Sequence, residues 1–169
     1  MIDILGQIIR QSQEAKGLYN RLVLVVAPSG SGKTALMQET AQSLQAPLIN
    51  VNLSLSLRML ELSQKERIIQ LSSLLDEILQ DTESEIVLLD NLEILFDTSL
   101  KQDPLRLLLN LSRRKTIVAT WNCSIENDSL TYATPDHPEF RKYPIKDFLV
   151  VNAEANFPGP RMECSDEIQ

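Results

Sequence analysis

Five short apolar runs punctuate the chain: Arg21 to Val26 (RLVLVV), Pro47 to Val51 (PLINV), Ile86 to Asp90 (IVLLD), Thr116 to Thr120 (TIVAT) and Phe148 to Val151 (FLVV). They are apolar at nearly every position rather than at alternate ones, which fits strands covered on both faces. Between them the apolar positions recur at helical spacing, over Lys33 to Leu44, Leu53 to Gln80 with a break at Ser63, and Pro104 to Arg114. Pro104 suits a first helical turn, where a missing N–H costs nothing. Ahead of the first run, Ile2, Leu5, Ile8 and Ile9 predict an amphipathic helix that ends near Gly17 and covers one edge of the sheet. Strands alternating with helices predict an α/β, three-layer fold around a five-stranded parallel sheet, with an N-terminal helix and no C-terminal helical lid.

Two stretches are less regular. Val51, Leu53, Leu55 and Leu57 alternate with polar residues as a strand would, while Leu53, Leu57 and Leu60 also share a helical face; a helix from about Leu53 is the reading adopted. From Trp121 to Pro144 the composition is mixed, and SIENDS and TPDHPEF read as loops around a short helix. Residues 152–169 have no periodicity and read as a flexible tail following a single domain over 1–151.

Composition changes this picture little but narrows the function. With 43% apolar and 23% charged residues the chain is an ordinary folded protein, and 169 residues fit one domain. Its 23 acidic against 16 basic residues oppose free-standing, nonspecific binding to nucleic acid. Cys123 and Cys164 suggest neither a disulfide framework nor a zinc cluster, so a reduced cytoplasm is the expected setting. The start lacks the pattern of a signal peptide and no apolar run reaches membrane-spanning length, so no membrane association is expected. His137 is the single histidine, which rules out a histidine-based metal cluster.

Chemistry enters at APSGSGKT, between the first strand and the helix that follows it. The pattern G-x-x-x-x-G-K-[ST] marks a loop whose backbone N–H groups, together with a helix N-terminus, hold phosphates. Ala27 replaces its first glycine at the strand exit, where a methyl group needs only modest room. The expected nucleotide contacts are Pro28, Ser29, Gly30, Ser31, Gly32, Lys33, Thr34 and Ala35, with Lys33 reaching the β- and γ-phosphates and Thr34 offering its hydroxyl to Mg²⁺. ATP with Mg²⁺ is the expected cofactor pair, and no N-K-x-D motif selects guanine.

Asp90, at the end of the third apolar run, is the expected second Mg²⁺ ligand; the same position would also suit a cap on the next helix. Asn91 follows it where many related ATPases carry a water-activating glutamate. Glu93 stands three residues past Asp90 and returns to the same side on a helical turn, as a general base or as a solvated residue. Asn122, and after it Thr120, is the candidate for a polar group facing the γ-phosphate, a place called sensor 1 in AAA-type ATPases. Trp121 reads as packing. Arginines able to meet transition-state charge lie in SRRK (Ser112 to Lys115) and at Arg141, which resembles the AAA-type arginine finger in chain order; a helix-end role competes for each.

The run DNLEILFDTSLKQDPLRLLLNLSRRKTIVATWN followed by LTYATPDHPEFRKYP, with the phosphate loop and LINVNLSLS, resembles BrxF, the small P-loop ATPase family of type 3 BREX phage-defence systems, over about Arg21 to Val151. The resemblance implies a bacterial cytoplasmic ATPase subunit working with other BREX components, a homo-oligomer with nucleotide at the subunit interface, and contact with DNA that is indirect. Two other function classes stay open at this point: an adaptor that binds nucleotide without hydrolysing it, and a P-loop nucleotide kinase, which the lack of an arginine-rich lid segment opposes.

Overall fold

The computed structural model describes residues 3–28, 32–122, 124–132, 138 and 141–153. Ser29, Gly30, Ser31, Cys123, His137, Cys164 and the tail from 154 onward lie outside these described residues. Five strands, β1 (Leu22–Ala27), β2 (Leu48–Asn50), β3 (Ile86–Asp90), β4 (Thr116–Asn122) and β8 (Leu149–Asn152), form one sheet in the order β2-β3-β4-β1-β8. All four pairings are parallel, as the continuous apolar runs predict.

Alternation along β1 explains the three layers, because every residue of it is buried and successive side chains enter different cores. Leu22, Leu24 and Val26 join the core beneath α3 (Val51–Met59), α4 (Gln64–Gln80) and α5 (Pro104–Leu111). Val23, Val25 and Ala27 face α1 (Ile4–Ala15) and α2 (Lys33–Leu44). Helix α1 therefore lies on a face of the sheet, not on an edge as its sequence suggested. The row it buries is Ile4, Ile8 and Ala15, against Val23, Val25 and Val151.

Local signals set the helix ends. Asn50 caps α3 by accepting from the Leu53 N–H at 3.0 Å, which decides the ambiguous leucine stretch in favour of a helix that starts at Val51. Ser63 and Glu66 form a reciprocal capping box at the start of α4, and the serine N–H and hydroxyl hold the Glu66 carboxyl below its usual range. Asp103 caps α5, with Pro104 in its first turn.

Of the segment read as loops around a short helix, the described residues form a three-stranded antiparallel sheet of β5 (Ile125–Glu126), β6 (Ser129–Tyr132) and β7 (Arg141–Pro144), while TPDHPEF, apart from Pro138, lies outside the described residues. Asn127 and Asp128 both take positive φ, 48° and 60°, the turn geometry that matches the twist of a two-residue hairpin. Leu130 and Tyr132 then face the core, where Tyr132 stacks on Phe96 at 3.6 Å. Trp121 packs edge-on against Phe96 and Tyr143 and donates its Nε1–H to the Thr131 carbonyl at 3.0 Å, so it is a packing residue as expected.

Ser63→Ala removes half of the capping box from an exposed helix start. It should lower folding stability by about 1 kcal/mol in urea denaturation, with nucleotide affinity unchanged.

Candidate nucleotide site

In a parallel sheet all strands end on one side, and here that side gathers Ala27, Asn50, Asp90 and Asn122 from four adjacent strands. Helix α2 starts directly from it. Gly32, at φ 92°, stands just before the helix in a conformation that a side chain would strain. Lys33 is buried, and its ammonium donates to the Ala27 carbonyl at 2.7 Å and the Pro28 carbonyl at 2.8 Å. The first helical residue is thereby folded back over the strand exit, which places a cation beside the α2 N-terminus. Ala35 follows on the exposed side of the helix.

Asp90 is buried and collects donors from three directions. The Thr34 hydroxyl donates to its Oδ2 at 2.7 Å, while the Thr120 hydroxyl and the Asn91 N–H each donate to its Oδ1 at 2.9 Å. The carboxylate thus joins α2, β3 and β4 and does not serve as the cap of the following turn, whose flanking residue is Leu92. Two hard oxygen groups, the Thr34 hydroxyl and the Asp90 carboxylate, meet beside the buried lysine, a donor set suited to Mg²⁺.

After Asp90 the chain turns sharply, with Asn91 at φ 56°, and enters a single 3-10 turn over Glu93–Phe96. That turn carries Glu93 to a pair of amides: Asn122 Nδ2 donates to its Oε1 at 2.8 Å and Asn52 Nδ2 donates to its Oε2 at 3.0 Å. Each carboxylate oxygen keeps a further lone pair, so the amides orient the group without exhausting it. Asn52 escaped the sequence reading. Its side-chain oxygen also accepts the Ile94 N–H at 2.8 Å, and its own N–H donates to the Asn91 carbonyl at 2.9 Å, so it clasps the whole turn. The clue available was its place two residues beyond the strand-end Asn50.

Asn122 and Thr120, the two alternatives for one role, therefore serve different carboxylates, Glu93 and Asp90 respectively. Arg141 lies elsewhere in the fold. It opens β7 opposite Tyr132, half-buried, and its charge reaches Tyr143, whose phenol burial and the neighbouring Asp103 carboxylate push up beyond the ordinary tyrosine range. Arg113 and Arg114 precede β4 and so sit at the opposite end of that strand from Asn122; the Arg113 guanidinium lies 5.1 Å from the centre of the Tyr19 ring.

A buried lysine that opens the helix after a central parallel strand, with an aspartate at the end of a neighbouring strand bonded to the threonine after that lysine, defines a P-loop nucleotide-binding protein. The chain belongs to the ATPase family associated with various cellular activities (AAA), whose model matches residues 23–127. Among solved structures it is similar to that of C. elegans PCH-2, at 23% identity and a TM-score of 0.43, over 74% of this chain and 37% of that one. The chain thus spans little more than a third of that protein's length. No curated protein sequence matches it. Among the described residues no helix is long and apolar enough to cross a membrane.

Asn52→Ala should free the turn after Asp90 and leave the part-buried Ile94 N–H without its acceptor. A loss of about 1–3 kcal/mol in folding stability by urea denaturation is expected.

Proposed function

We propose that the chain is an ATP-binding, slowly hydrolysing subunit of a bacterial anti-phage complex of the BREX type, working in the cytoplasm with the other components of that system. In this reading it assembles with copies of itself, with nucleotide between subunits, and its nucleotide state alters the surface offered to partners; contact with DNA is through those partners. The observation that carries hydrolysis is the Glu93 carboxylate, held between Asn52 and Asn122 on the same side of the sheet as the Thr34–Asp90 pair.

Phosphate binding follows from Lys33 and the start of α2. Phosphate oxygens are charged acceptors and compete well for an ammonium now bonded to two neutral carbonyls. Thr34 and Asp90 are the residues that would hold Mg²⁺, which when bound offsets the charge on the phosphates. Glu93 accepts the proton of the attacking water, or fixes its direction, and the two amides keep the carboxylate aimed. Asn91, in the place next to Asp90, has no charge to offer, so the whole of this task falls to a group on the next turn. Arg141 acts in trans, lent by a neighbouring subunit to the charge that develops on the transferred phosphoryl group.

Lys33→Ala should weaken ATP binding about a hundredfold or more, measured by titration of a fluorescent ATP analogue; unchanged affinity would refute the site. Asp90→Ala should abolish the Mg²⁺ dependence of that binding. Glu93→Gln should keep ATP affinity within about twofold while phosphate release falls by about 10²-fold or more. Tight binding by the unaltered protein with no phosphate release, even beside its partners and DNA, would make it an adaptor instead.

If Arg141 acts in trans, Arg141→Ala and Lys33→Ala subunits should each be inactive alone. Mixing them should restore part of the phosphate release, because one mixed interface pairs an intact loop with an intact arginine. No restoration would remove Arg141 from the mechanism.

A further inference from the structure

Glu93 sits on a support that is weak by itself. The turn has four residues, 3-10 geometry is poorer than that of an α-helix, and the chain enters it through a left-handed Asn91. With three residues per turn, side chains at the first and fourth positions project from the same side, so Glu93 and Phe96 emerge together. Both then reach consecutive residues of β4: Glu93 bonds Asn122, and the Phe96 ring meets the Trp121 ring at 5.1 Å and 76°. The other face of the contact comes from the three-stranded sheet, where Tyr132 stacks on Phe96 at 12° between planes. Trp121 is itself fixed by its bond to the Thr131 carbonyl and by the edge of Tyr143 at 5.8 Å.

We infer that Phe96, clamped between Tyr132 and Trp121, is a positioning residue for Glu93, and that the three-stranded sheet is thereby part of the hydrolytic machinery. An aromatic ring buried between two others has few alternative placements, and one turn of backbone transmits that constraint to the carboxylate. The amides of Asn52 and Asn122 set the direction of the carboxylate; Phe96 sets how far the turn stands from β4. The inference rests on the reading of Glu93 as the group that acts on water.

The test measures steady-state phosphate release and fluorescent-ATP affinity for Phe96→Leu, Tyr132→Leu and Tyr132→Phe, each alone and combined with Glu93→Gln. Removal of either ring should lower kcat by about tenfold or more, since small misplacements of a catalytic group cost that much, with ATP affinity and KM within about twofold. Tyr132→Phe keeps the ring and should keep kcat. In the Glu93→Gln background the leucine substitutions should lower kcat no further, because a residue that acts through Glu93 has nothing left to position. Additive losses, unchanged kcat in the single variants, or loss of ATP binding together with kcat would each overturn the inference and leave the rings a role in the core alone. If Glu93→Gln itself leaves phosphate release intact, the underlying assignment of Glu93 fails instead.

Discussion

The Asp90 carboxylate is the point on which the nucleotide side of the molecule depends. A buried negative charge must be met by donors, and Asp90 takes them from its own following N–H, from Thr34 on α2 and from Thr120 on β4. Three elements are thereby held in one register: the helix that starts beside the phosphate loop, the strand that ends in Asp90, and the neighbouring strand two residues before Asn122. Sheet order does the rest. With β3 between β2 and β4, a group just past Asp90 is within reach of Asn52 on one side and Asn122 on the other.

In the proposed mechanism, that geometry gives Glu93 the role that position 91 does not fill. The position next to Asp90 is occupied by Asn91 in a left-handed conformation, and asparagine adopts it more readily than most residues. The turn bends the chain back toward β4, so a carboxylate three residues on arrives where two side-chain amides can hold it. The cost is a support of one 3-10 turn, and the aromatic cluster of Phe96, Trp121, Tyr132 and Tyr143 supplies the stiffness that the backbone lacks. An antiparallel sheet inserted between β4 and β8 thus bears on a parallel one through rings, with Trp121 as the shared residue.

Legibility varied with the range of the signal. The strands were readable because burial on both faces demands unbroken apolar runs, and the starts of α4 and α5 because the break at Ser63 and the first-turn Pro104 are local marks. The β5–β6 hairpin was carried by an equally local cue, the Asn127–Asp128 turn, but its strands are too short to show alternation, so composition suggested loops. Helix α1 was recognised and misplaced: its pattern says that one stripe is apolar, and only packing on Val23, Val25 and Val151 selects the face of the sheet. Asn52 was invisible for a related reason. An amide at the start of a helix looks like solvated chemistry until a carboxylate from 41 residues away is brought to it.

Order along the chain was enough to give the layered fold and to single out Thr34 and an aspartate at a strand end, which the structure brings together, because each rests on periodicity or on spacing within one or two elements. Tertiary structure decided which candidate meets which: Thr120 bonds Asp90, Asn122 bonds Glu93, and Arg141 stands on a separate small sheet. Hydrogen bonds and ring contacts depend on distances of a few ångströms between residues far apart in sequence. Those distances are set by strand order and by the turn at Asn91, and neither is written in any local pattern.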